Sequence, residues 1–168
     1  FLCRTPLQLK IAEKIILNES LNEIRLVYIS DNKKKISSRF PITVYYKKNI
    51  LADLFYIIFI LKKINSDRLF LASVNNYIFQ IYIRFYPPRK LYTFDDGAAN
   101  ILANSFFKND TGCKYRVKSF FINFVLGCST AREILSRSLM HYTIFDSNQD
   151  DKVTKINIFQ NVDAIDSN

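Results

Sequence analysis

The sequence predicts an α/β fold in which a mainly parallel β-sheet is covered by helices. Three observations carry this reading. Short β-branched or aromatic runs alternate with longer stretches whose apolar residues recur at helical spacing, the pattern of βαβ units. Glycine and proline are scarce, three and four in 168 residues, which disfavours a turn-rich sandwich. Apolar residues make up 49%, with fifteen Phe and ten Tyr, enough for one sizeable core.

Taken in order, Phe1 to Cys3 ends a first strand and Arg4-Thr5-Pro6 starts a helix sharply. Thr5 is placed to cap it, and Pro6 suits its first turn. Leu7, Ile11, Ile15 and Ile16 then mark one apolar face down to about Leu17. Such a junction leaves N–H groups free beside Thr5 and Gln8, making these two candidate contacts for an anion or a sugar. Ordinary capping explains them without a ligand. Ile24 to Ser30 forms a second strand, followed by a basic loop from Asp31 to Arg39 and a third strand from Ile42 to Tyr46. Ile50 to Ile64 is too long for one strand and reads as a largely buried helix closing on Lys62-Lys63. Arg68 to Ala72 is a fourth strand. Asn75 to Phe85 is an aromatic-rich helix stopped by Pro87-Pro88, and Lys90 to Phe94 is a fifth strand.

Beyond this point the pattern loosens. Residues 101–107 read as a short helix or an ordered loop, and 108–112 as a turn. Phe120 to Val125 is an apolar patch with helical continuation through Ala131–Leu135. His141 to Phe145 and Val153 to Phe159 read as further strands, and Asn161 to Asn168 as a frayed polar tail. The expected organisation is one domain over 1–160 with the tail at 161–168.

Between the core and this looser cover lies Phe94-Asp95-Asp96-Gly97-Ala98-Ala99-Asn100. Two carboxylates at the carboxyl end of a parallel strand stand on the rim where open α/β sheets bind ligands. Adjacent strand residues point to opposite faces, so only one of the two lines a given crevice. If the chain leaves the strand at Asp95, Asp96 is the one lifted into the rim and the candidate general base. Capping of a following helix is the competing use.

The formal charge of +9 favours an anionic ligand or an acidic membrane surface. Lys33-Lys34-Lys35, Lys47-Lys48, Lys62-Lys63 and Arg89-Lys90 are nevertheless scattered over element ends, and no zinc-finger spacing is present, which argues against specific nucleic-acid recognition. Cys3, Cys113 and Cys128 lack metal spacing and suit a reducing compartment, with Cys3 a buried small hydrophobe. Glycine-rich phosphate loops, paired-histidine metal motifs and serine elbows are absent from the sequence. The apolar run from Ile50 to Leu61 includes Asp53 and falls short of the ~20 residues a membrane span needs. His141, the one histidine, is expected to be bonded to backbone at a strand edge, with a general-acid role as the alternative.

Three segments together, Phe1 to Lys14, Thr93 to Asn100 and His141 to Phe145, resemble in the same order the amino-terminal half of the bacterial lipooligosaccharide sialyltransferases, glycosyltransferase family 52. The resemblance implies one Rossmann-like half of a GT-B-like enzyme, the acceptor-side domain, with an absent carboxyl-terminal domain binding the nucleotide sugar. It implies inverting transfer of sialic acid from CMP-sialic acid to a terminal galactose of a lipooligosaccharide or capsular glycan. Asp95 and Asp96 are of a type that could hold a divalent metal with the phosphate, but protein donors can neutralise the departing phosphate, so no metal or cofactor is expected. More distant bacterial sialyltransferases carry a similar Asp-Asp-Gly turn whose second aspartate is the base, which maps onto Asp96. The acceptor side then comprises Thr5, Gln8, Asp95, Gly97 and Asn100. In the closer family the acid/base pair is associated with the carboxyl-terminal half and a His-Pro motif that this chain lacks, so acceptor positioning or capping by Asp95 and Asp96 stays open. Further expectations are a bacterial cytoplasmic location, peripheral at the inner membrane, and pairing with a second domain or a second copy. A non-catalytic basic domain that binds an anionic glycan or nucleic acid is the alternative function.

Overall fold

The computed structural model describes residues 1–31, 36–60, 67–95, 127–144 and 153–155. The strands are β1 (Leu2–Cys3), β2 (Leu26–Ser30), β3 (Ile42–Tyr46), β4 (Arg68–Leu71), β5 (Lys90–Phe94), β6 (His141–Thr143) and β7 (Val153–Lys155). The described helices are α1 (Pro6–Asn18), α2 (Ile50–Phe55), α3 (Tyr77–Phe85) and α4 (Ala131–Arg137). The strands form one sheet in the order β3-β2-β1-β4-β5-β6-β7, and every pairing is parallel. This is the expected α/β architecture, a Rossmann-like half of the GT-B kind. The chain winds outward from β1 to β3, then returns to place β4 beside β1. The reversal opens a crevice between β1 and β4 at the carboxyl ends of the strands.

Alternation along the strands divides the core into two layers. In β2, Leu26 and Tyr28 face α1, which contributes Leu9, Ile11, Ala12, Ile15 and Ile16. Val27 and Ile29 face the other way, toward Ile78, Phe79, Ile81 and Tyr82 of α3 and Ile134 of α4. On the α1 side, Phe70 stacks between Phe1 and Tyr92, with ring centroids 4.3 and 4.6 Å away. This aromatic row ties β4 to its neighbours where short strands supply few backbone bonds. Cys3 is fully buried as expected, and burial pushes its thiol up to about 12.

Several boundaries move for local reasons. The strand expected from Ile24 begins at Leu26, and the fourth strand stops at Leu71. The helix expected from Asn75 begins at Tyr77, because Asn76 caps it by accepting from the Ile78 N–H. The long apolar helix changes character: α2 gives way at Tyr56–Ile60 to a wider π-type turn. The helix expected to run on from the 120–125 patch starts afresh. Gly127 is left-handed at φ 58°, and Thr130 and Glu133 close a reciprocal capping box at Ala131. The expectations for 96–126, the ends of the second helix and last two strands, Cys113 and the polar tail lie outside the described residues. No described helix is long and apolar enough to cross a membrane.

Candidate functional site

Because all the strands run the same way, the residues just past their carboxyl ends gather on one rim. Three polar groups stand there. The first spans the crevice between β1 and β4. Thr5 caps α1, accepting from the Gln8 N–H at 3.2 Å. The Gln8 side-chain oxygen Oε1 in return accepts from the N–H groups of Arg4 at 2.6 Å and Thr5 at 3.2 Å. Its amide nitrogen donates 2.9 Å across the crevice to Ser73 Oγ, just past β4. Gln8 is therefore a buried brace that clamps the two sides of the crevice, and Thr5 is a working cap.

The second group lies past β2 and β3. Asp31 bridges Arg4 Nη2 at 2.8 Å and Lys47 Nζ at 3.1 Å. Burial pushes its carboxyl up, but these two cations outweigh that and hold it below the usual carboxylate range. Behind it, Asp53 is buried and accepts from the hydroxyls of Tyr45 and Tyr77, both at 2.7 Å, and from the Lys48 N–H at 3.3 Å. Burial raises both phenols, and their bonds to Asp53 raise them further. The ammonium of Lys47 sits 5.3 Å above the Tyr77 ring, within cation–π reach.

The third group fastens β5 to β6. Asp95 is 1% exposed and its carboxylate is well occupied. One oxygen accepts from Thr143 Oγ1 and the Ile144 N–H, both at 2.7 Å, and the other lies 3.2 Å from His141 Nε2. The opposite ring nitrogen lies 3.0 Å from Thr93 Oγ1, which is also 3.0 Å from Ser138 Oγ. His141 is held by side chains, contrary to the expectation of a backbone bond, because strand register sets Thr93 directly beside it. Asp95 thus holds the β5 end in place. Asp96, Gly97 and Asn100 lie outside the described residues.

The sequence reading missed Arg4, Ser73, Asn76, Thr93 and Thr143. Asn76 carried a signal, since an Asn one residue before an aromatic run is a candidate cap. Thr93 and Thr143 carried none, because their partners are set by register between distant strands. Among the described residues no cluster of three or more metal-ligating side chains is present.

A model of the family described as "Glycosyltransferase family 52" matches residues 13–167. A CMP-N-acetylneuraminate:beta-galactoside alpha-2,3-sialyltransferase of Pasteurella multocida is 30% identical, over 86% of this chain and 51% of that protein. An N-acetyllactosaminide alpha-2,3-sialyltransferase of Neisseria meningitidis is 26% identical, over 85% of this chain and 43% of that protein. One of the same description from Haemophilus influenzae is 27% identical, over 98% and 56%. The chain spans about half the length of these relatives.

Proposed function

Because the chain belongs to glycosyltransferase family 52, we propose that it is the amino-terminal, acceptor-side half of a sialyltransferase, its one domain covering 1–160. The enzyme moves sialic acid from CMP-sialic acid to a terminal galactose of a lipooligosaccharide or capsular glycan. The observation that supports this best is the parallel sheet in the order 3-2-1-4-5-6-7, whose carboxyl rim carries three polar groups at the edge where such sheets bind ligands. The descriptions of the relatives supply donor and acceptor.

In an inverting transfer the galactose hydroxyl gives its proton to a base, its oxygen bonds to the anomeric carbon, and CMP departs with the electron pair of the broken bond. The base must lie within ~3 Å of that hydroxyl. Asp95 is committed to Thr143, Ile144 and His141, so of the acidic pair Asp96 is the one assigned as base. Thr5, Gln8 and Asp95 serve the acceptor by holding the rim, and Gly97 and Asn100 complete that side from the turn. The nucleotide is bound by a second domain, or by a second copy of the chain, in the bacterial cytoplasm at the inner face of the membrane.

The test compares the 168-residue chain with the full-length product of its gene, each as wild type and as Asp96→Asn. Sialyl transfer to a galactose-terminated acceptor is measured. We expect no turnover from the chain alone, turnover from the longer form, and a loss of ~10²-fold or more in the long Asp96→Asn variant. Robust turnover by the chain alone would sink the half-enzyme reading. An inactive long form that binds anionic glycan tightly would point to the non-catalytic basic domain. Near-normal turnover by the long variant would move the base to the second domain.

A further inference from the structure

Buried hydrogen-bonding groups in folded proteins almost always find partners, and each exception asks for a reason. Among the described residues three buried side-chain atoms have none: Arg4 Nε, Asn76 Nδ2 and Tyr56 Oη. The first two stand on opposite sides of the crevice between β1 and β4. Arg4 directly follows β1, and Asn76 caps α3 after β4. The Gln8 brace links the two turns, accepting from the Arg4 N–H and donating to Ser73, whose carbonyl accepts from the Asn76 N–H at 3.0 Å. Tyr77, next to Asn76, lies close enough to Arg4 for the guanidinium charge to oppose the rise of its hydroxyl. Both orphaned atoms carry N–H groups. The assignment at Asn76 is fixed by chemistry: its Oδ1 accepts from the Ile78 N–H at 2.8 Å, so the other end of that amide must be the nitrogen.

We propose that this crevice is a binding site for an oxyanion, either the carboxylate of a sugar acid or a phosphate monoester, seated between Arg4 Nε and Asn76 Nδ2. The surroundings suit a negative group. The amino-terminal ends of α1 and α3 open onto this rim, and each favours an anion. Arg4 and Lys47 lie alongside, both bridged by Asp31, and the oxygens of the buried Asp53 are taken up by two tyrosine hydroxyls and a backbone N–H. The Arg4 side chain is 30% exposed although its Nε is not, and Asn76 is 5% exposed, so an incoming oxygen reaches the two atoms as the side chains above them give way. The site's use in selecting an acidic acceptor glycan rests on the acceptor-side reading above; oxyanion binding does not.

Three sugars that differ only at C6 test it: galactose, galacturonate and galactose 6-phosphate. Each is titrated into the 168-residue chain and followed by the Asn76 side-chain amide resonances and by calorimetry. We expect saturable binding of galacturonate, galactose 6-phosphate or both, with the arm that binds naming the source, and at least ~10-fold weaker binding of galactose. Asn76→Asp retains a good helix cap but sets a carboxylate against the ligand. It should fold, with a melting temperature at or below the wild type's because its second oxygen is buried, and lose at least ~10-fold in affinity. Arg4→Lys keeps the charge beside Asp31 without Nε and should also weaken binding. No saturable binding of either anion to the wild-type chain overturns the proposal, as does wild-type affinity in a folded Asn76→Asp variant. Because no turnover is read, failure of the sialyltransferase reading leaves this result standing, and failure here leaves that reading untouched.

Discussion

At the scale of single residues, the commitment of Asp95 matters most. Asp95 is spent on structure: it satisfies a hydroxyl, a backbone N–H and an imidazole inside the sheet edge. Removing a buried carboxylate leaves its donors desolvated and unpaired, which costs more than the bonds themselves contribute. Asp95→Ala should therefore cost about 3 kcal/mol in urea unfolding. His141→Gln removes one ring from a frame that keeps its other bonds and should cost about 1 kcal/mol. In a complete enzyme His141→Gln should alter thermal stability more than rate. A large fall in turnover at an unchanged melting temperature would instead give His141 a catalytic part. The sequence set two adjacent acids at the end of the fifth strand. It could not show that Asp95 was occupied, because the deciding partners, Thr143 and Ile144, lie 48 and 49 residues away.

At the scale of elements, α1 is bound to the sheet by its first turn as well as by its apolar face. Gln8 closes the cap on Thr5 and reaches Ser73, so one side chain serves helix start and crevice together. Gln8→Ala should cost about 2–3 kcal/mol, against about 1 kcal/mol for Thr5→Ala, which loses only the cap bond. Urea midpoints of the two variants decide; an equal or reversed order removes the brace from the account. The cap itself was legible in Thr5-Pro6-Leu7-Gln8 because capping is a four-residue event. The order of strands was not, since periodicity marks a strand without naming its neighbour. The separate start of α4 was missed for a related reason: the apolar residues of 120–125 and 131–135 suit one helical face in sequence, whereas Thr130 and Glu133 cap α4 at Ala131.

At the scale of the whole molecule, the phenols set the response to alkali. Burial raises the hydroxyls of Tyr45, Tyr77 and Tyr142, helped by bonds to Asp53 for the first two and to Glu19 for the third. In the unfolded chain they lose their protons near pH ~10. Their raised folded values therefore contribute stability that is full below that pH and is lost as pH rises past it. Urea midpoints should stay level from neutrality to about pH 9 and fall above about pH 10. Tyr45→Phe/Tyr77→Phe should soften that fall while lowering stability at neutral pH; an unsoftened fall would locate the alkaline weakness elsewhere. The strand order has one more consequence, and it concerns synthesis. As the chain leaves the ribosome, β1, β2 and β3 can pair early, but the free side of β1 waits for β4. At the usual pace of translation the 21 residues between β3 and β4 take about 1–4 s to appear. For that interval a half-sheet exposes an unpaired parallel edge, and Phe1 lacks the ring of Phe70 that later covers it. An open edge of this kind templates association with other chains, so the nascent protein needs a chaperone's cover most just before its fourth strand emerges.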